Sequence, residues 1–267
     1  MTCIAGLLGL LLALTGAAHA ACVVQPRATV PLTDVDGHVL VTVSINDTDA
    51  TFVLDSGAER TLVSEAAARS LGLQRDEWVA STVMGIGGVQ ERPNALPRSM
   101  RLGGLTLRRH TLTADTSVMV GPVPLTEVAG RIVVGLLGRD FLAPYDLDVD
   151  PSAGKLTLYE VADCAGRFLP WSTPYVAIPV MPSMNTALVL QTVLDGRPLR
   201  ALLDTGASAS LLTAPGMYRL GIAEAALAGD PAATGAGVGP RSVPMRLHRF
   251  GELRVGPDIT RLPMIWV

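Results

Sequence analysis

Phe52-Val53-Leu54-Asp55-Ser56-Gly57-Ala58 and Ala201-Leu202-Leu203-Asp204-Thr205-Gly206-Ala207 are one phrase written twice: an apolar run that delivers an aspartate into a small polar turn. The likeness extends outward from both. Leu62-Val63-Ser64 answers to Leu211-Leu212-Thr213, and Leu71-Gly72-Leu73 to Leu220-Gly221-Ile222, always at an offset of 149 positions. A register held over about twenty positions implies two copies of one supersecondary unit. Ahead of each phrase an alternating strand, Leu40-Val41-Thr42-Val43-Ser44-Ile45 or Leu188-Val189-Leu190-Gln191-Thr192-Val193, enters a polar turn. The turns are Asn46-Asp47-Thr48-Asp49 and Asp195-Gly196-Arg197-Pro198, the second opening on Asp-Gly, a strong hairpin signal. Behind each phrase the pattern predicts a short helix, over 64–70 with Ser64 as N-cap and over 214–220. Glycine-rich stretches follow, Met84-Gly85-Ile86-Gly87-Gly88 and Thr234-Gly235-Ala236-Gly237-Val238-Gly239. Short strands with frequent turns make this a mostly β architecture, two pseudo-symmetric units of small closed sheets, that is, β-barrel lobes.

The 267 residues are 49% hydrophobic, enough for one large or two small cores, and a net charge of −3 gives no basic stripe for nucleic acid. An apolar run over 4–14 followed by Ala18-His19-Ala20 reads as a cleavable export signal, so 1–21 is expected to leave and the mature chain to be periplasmic or secreted, with no membrane span. A lipid anchor on Cys22 competes, although His19 suits a lipoprotein signal poorly. With Cys3 removed, Cys22 and Cys164 remain, and an even pair in an oxidising compartment points to a disulfide, two free thiols being the alternative. The expected division is a first unit over 22–163, a linker over 164–174 and a second unit over 175–267.

A single Asp-Ser-Gly is an ordinary turn. Two at equivalent places in a repeat can be brought together across a pseudo-symmetric interface. Neighbouring carboxylates cannot both ionise cheaply, so Asp55 and Asp204 would share one proton over a useful pH range. The ionised member can take a proton from water, and the protonated member can polarise a carbonyl. Gly57 and Gly206 would permit the tight turns, and the Ser56 and Thr205 hydroxyls could hydrogen-bond across the interface. Other signals read as structural. Asp146, Asp148 and Asp150 alternate along a solvated strand, Asp34-Val35-Asp36-Gly37 is a turn, and His38, His110 and His248 lack metal-ligand spacing. Asn46-Asp47-Thr48 fits a glycosylation acceptor and a hairpin turn equally. No metal or cofactor is called for.

The paired phrases resemble the retropepsin-like aspartic proteases, here with both halves in one chain. Leu136-Leu137-Gly138-Arg139-Asp140-Phe141-Leu142 extends the resemblance, as does the closing hairpin from Tyr145 to Tyr159. The resemblance implies an aspartic endopeptidase with Asp55 and Asp204 catalytic, acting on an extended polypeptide. It implies that Leu136, Leu137 and Gly138 brace the catalytic loop, and that Arg139 pairs with Glu59. The glycine-rich stretches become substrate-binding flaps, Gly85, Ile86 and Gly87 in one and Gly235, Ala236 and Gly237 in the other. The second copy departs from the pattern: it has Ser208 where the first has Glu59, and no counterpart of Leu136-Leu137-Gly138-Arg139, so the second unit reads as shortened. A catalytically inactive module that binds peptides or an envelope protein is the competing function. A monomer with both aspartates is expected, and an Asp55–Asp55 homodimer is the alternative.

Overall fold

The computed structural model describes residues 22–108, 117–164, 171, 174–183, 186–235, 237–239 and 241–267. The segment 1–21 read as an export signal, His110, Ala236 and most of the 164–174 segment lie outside the described residues.

The first copy begins with β1 (Val23–Val35), β2 (His38–Ile45) and β3 (Thr48–Leu54), an antiparallel meander. β4 (Leu62–Val63) leads into α1 (Glu65–Ser70), and β5 (Gln74–Gly85) and β6 (Gly88–Leu96) make a long hairpin. β7 (Met100–Leu102), β8 (Leu105–Thr106), β9 (Val118–Val120), β10 (Glu127–Val128) and β11 (Arg131–Ile132) follow. β12 (Gly135–Leu137) runs into α2 (Arg139–Leu142), and β13 (Asp146–Asp150) with β14 (Lys155–Ala162) closes the unit. In the second copy β15 (Val180–Met181), β16 (Val189–Leu194) and β17 (Arg197–Leu202) precede α3 (Ala214–Leu220). β18 (Ala232–Gly235), β19 (Val243–Arg249), β20 (Glu252–Val255), β21 (Asp258–Arg261) and β22 (Met264–Trp266) complete the described chain.

The main sheet runs β13-β14-β1-β2-β3-β12-β4-β9-β6-β5, with β7 and β8 branching from β2. Its ends, β13 and β5, are not paired with each other among the described residues. The second copy forms a sheet β15-β16-β20-β21, with β17 beside β16, and a smaller one, β18-β19-β22.

Local chemistry accounts for the elements. Asn46 and Asp47, at φ 49° and 65°, and Asp195 and Gly196, at φ 48° and 75°, take the left-handed turns that two-residue hairpins need. Asn46 is also tied down by its side chain: Nδ2 donates to Leu71 O (2.8 Å) and Oδ1 accepts from Arg98 N (2.7 Å). Its amide thereby links the hairpin turn to the segments around Leu71 and Arg98. Ser64 caps α1 by accepting from Ala67 N, satisfying a donor the helix cannot. The counterpart α3 has Thr213 at its N-cap without a side-chain bond and ends at Gly221 in the left-handed region.

The two copies differ in how their aspartate strands are covered. β12 lies between β3 and β4, parallel to the first and antiparallel to the second, and Val53 and Leu54 are fully buried. The equivalent Leu202 and Leu203 are 46% and 47% exposed, and no strand flanks them on that side among the described residues. Full burial of a leucine contributes about 2 kcal/mol, so this edge of the second copy is held less firmly. The buried cores follow suit. The first copy packs Phe52, Leu54, Leu137, Phe141, Leu156 and Leu158 in one large cluster, whereas the second centres on Leu194, Leu212, Phe250 and Ile265. Cys22 and Cys164 are joined by a disulfide that fastens the start of β1 to the end of β14. A sulfur in that bond cannot also carry a thioether-linked lipid.

Candidate active site

The strands β3 and β17 deliver Asp55 and Asp204 to the same place. The loops after them exchange hydrogen bonds reciprocally. Ser56 Oγ donates to Leu203 O (2.7 Å) and accepts from Thr205 N (3.0 Å). Thr205 Oγ1 donates to Leu54 O (2.6 Å) and accepts from Ser56 N (3.0 Å). Each hydroxyl thus uses its donor and an acceptor lone pair on the opposite loop, which fixes the two turns against each other.

The glycines that follow are needed for close approach. A Cβ on Gly57 would sit 2.3 Å from Asp204 Cγ, and one on Gly206 would sit 2.4 Å from Asp55 Cγ. Neither glycine has a left-handed φ. The reason for glycine is therefore the opposing carboxyl group rather than the shape of the turn.

Backbone donors hold each carboxylate. Ala58 N donates to Asp55 Oδ1 (2.7 Å), and Gly206 N donates to Asp204 Oδ1 (2.9 Å). Asp55 is only 7% exposed. Burial first, then the charge of Asp204 and a hydrogen bond to the Asp204 side chain, push its pKa up to about 7, against the opposing pull of the Ala58 and Gly57 amides. A buried acid beside a second carboxyl group is the environment in which one proton is shared between the two.

The first loop is braced from β12 and α2. Asp55 N donates to Leu137 O, and Arg139 N to Ala58 O. A Cβ on Gly138 would come within 2.7 Å of the Arg60 carbonyl carbon, so glycine is required there too. The expected Glu59–Arg139 ion pair does not form. Arg139 Nη1 instead donates to Ser56 O (2.7 Å) and Gly57 O (2.8 Å), while the Glu59 side chain faces solvent. The buried guanidinium supports the loop through its carbonyls, with both bonds made by Nη1 while Nε is buried without a partner among the described residues. The ion pair lies one residue along on both partners, between Arg60 Nε and Asp140 Oδ2 (3.3 Å). Sequence reasoning passed over Arg60 and Thr61 and gave Asp140 no partner. The available signal was two polar residues, Arg60-Thr61, entering an apolar strand, matched by an acid next to Arg139.

The glycine-rich tips interlock. A Cβ on Gly85 would lie 1.9 Å from Val238 O, and one on Gly87 would lie 2.5 Å from Arg241 O. Gly237 fits against the Ile86 side chain, and Gly239 against the Gly87 backbone. Gly235 instead packs on Met245. Val238 reaches across to the first copy's cluster around Leu40, Val53 and Leu62. The two tips therefore meet each other.

A family model described as aspartyl protease matches residues 41–141 and 190–267, more than half of the chain and both copies. Similar solved structures include a retropepsin-like aspartic protease from Rickettsia conorii, at 19% identity and TM-score 0.36, covering 53% of this chain and 96% of that one. An aspartic proteinase from Irpex lacteus is 14% identical at TM-score 0.47, over 88% of this chain and 78% of its own. The EIAV protease complexed with the inhibitor HBY-793 is 23% identical at TM-score 0.29, over 40% and 86%. No curated protein matches the chain. The family model spans both aspartate phrases with the segments that brace the first, and the chain belongs to the aspartyl protease family.

Proposed function

We propose that the chain is an aspartic endopeptidase in which Asp55 and Asp204 together activate a water against a peptide carbonyl. The observation that carries this reading is the reciprocal Ser56–Thr205 bonding, which holds the two carboxyl groups within hydrogen-bonding reach. The pair carries one proton. The ionised carboxylate takes a proton from the water as its oxygen attacks the carbonyl carbon, and the protonated member donates to the carbonyl oxygen. Collapse of the tetrahedral intermediate breaks the C–N bond, and the leaving nitrogen takes a proton back from the dyad. The substrate is an extended polypeptide held beneath the tips at 84–89 and 234–239. A single chain supplies both aspartates, so a monomer is the working unit. The export signal and the Cys22–Cys164 bond support action in the periplasm or outside the cell.

The exposure of Leu202 and Leu203 beside Asp204 favours one second reading, a protease-like module that binds peptides without cleaving them. Cleavage of an unfolded protein from acidic to neutral pH separates the two. Wild type is expected to cleave, and Asp55→Asn and Asp204→Asn each to lose at least about a thousandfold in kcat while remaining folded. No cleavage by folded wild type at any pH would favour the binding module. Loss only in Asp55→Asn would favour an Asp55–Asp55 homodimer.

A further inference from the structure

Arg60 lies two residues beyond the Asp55 carboxylate's backbone donor Ala58, and its side chain is only 15% exposed. Its guanidinium reaches three other elements. Nε meets Asp140 Oδ2 in α2, Nη1 donates to Ser81 Oγ in β5 (2.8 Å), and Nη2 donates to Ser117 O (3.2 Å) at the entry to β9. Ser81 Oγ passes the contact on to Asn94 Oδ1 in β6 (2.8 Å). Ser81 and Asn94 sit at the root of the first flap hairpin, beside the irregularity in β5 between Asp76 and Ala80. On the other side Asp140 Oδ1 accepts from Thr61 N (2.9 Å) and Thr61 Oγ1 (2.8 Å), and Gly138 N donates to that same hydroxyl oxygen (2.9 Å). A continuous buried network therefore runs from the flap root, through Arg60, to the loop that carries Asp55. Arginine suits this post because its planar fork engages several acceptors at fixed angles.

The second copy is built differently. The position equivalent to Arg60 is Ala209, and Asp230 lies just before the first strand of the second flap hairpin. Asp230 Oδ2 meets His248 Nδ1 (2.6 Å) in β19, and the His248 ring packs edge-on against Phe250. That root is closed upon its own hairpin.

We propose that Arg60 is a positioning residue that ties the first flap to the Asp55 loop, so that the first flap and Asp55 hold register together. The catalytic part of this inference rests on the peptidase reading above.

The test compares wild type with Ser81→Ala, Arg60→Met and Arg60→Lys in full-length processed protein, by peptide-cleavage kinetics and residue-level amide hydrogen exchange. Ser81→Ala removes only the flap end of the network and keeps the proposal testable where Arg60→Met folds poorly. Ser81→Ala and Arg60→Met are expected to raise KM and lower kcat/KM on the order of tenfold, with Arg60→Lys recovering part of the loss. Amide exchange should accelerate over 83–90 and at Ala58, and less over 232–239, where the Asp230–His248 contact remains. Unchanged KM with unchanged exchange at 83–90 overturns the proposal, as does equal loosening of both flaps. Should wild type fail to cleave, the peptidase reading falls, and the exchange pattern still decides whether the tie exists.

Discussion

Asp55 and Arg139 show how far a residue's surroundings redirect its chemistry. The Asp55 carboxyl group is raised from 3.8 to about 7, chiefly by burial and then by Asp204. A folded pKa above the unfolded one favours the protonated form in the native state. The stability it confers is fully present below about pH 4 and is lost as pH rises through about 7. Asp55→Asn keeps the neutral shape and escapes that loss. It should therefore match wild type near pH 4 and exceed it above pH 7, by up to about 4 kcal/mol, in urea denaturation at the two pH values. A variant no more stable at pH 8 would contradict the raised pKa. Arg139 offers a second test. Arg139→Met removes two charge-assisted bonds to loop carbonyls and should cost about 3 kcal/mol, whereas Glu59→Gln should stay within about 0.5 kcal/mol of wild type. Equal losses in both would restore the ion pair that the motif implied. Arg139 was legible as a brace from Leu-Leu-Gly-Arg, but its partner was not. Several acceptors lie within reach of a long side chain, and the fold sends this one toward Ser56 O and Gly57 O rather than outward to Glu59.

At the scale of elements, hairpins and helices could be read with little help from tertiary structure, because their causes are local. Alternation over 40–45 became β2, Asp195-Gly196 became the turn between β16 and β17, and Ser64 capped α1. The loops after β3 and β17 were legible as a pair, while the bonds between them depend on where two distant strands end. Their mutual support is measurable by a double-mutant cycle. Ser56→Ala and Thr205→Val should each destabilise, and the pair should couple by about 1–2 kcal/mol, because the two hydroxyls serve one lock. Additive losses would mean that the loops stand independently. The glycines of the two tips were visible as glycine-rich stretches, yet the sequence did not say why glycine was needed. Gly85 and Gly87 are required by the opposite tip, which lies about 150 residues away in the chain and directly against them in space.

For the whole molecule, the bond between Cys22 and Cys164 closes a loop with a sequence separation of 142 around the first copy. A loop of that length should contribute on the order of 4 kcal/mol, so reduction, or Cys22→Ser with Cys164→Ser, should lower the melting temperature measurably. An unchanged melting temperature would show that β1 and β14 hold without it. The internal repeat, the mostly β character, the two aspartates and the cysteine pair were determined by the sequence itself. Periodicity, turn residues and repetition are written locally along the chain, and the fixed offset of 149 made the copies recognisable. Tertiary structure alone decided the rest. It decided that Leu202 and Leu203 remain half-exposed and that the ion pair joins Arg60 to Asp140. Each of these depends on which segments far apart in sequence come within a few ångströms. The missing Leu-Leu-Gly-Arg counterpart was legible in the second copy, but which side chains it leaves uncovered and where Arg60 and Arg139 find partners depend on packing.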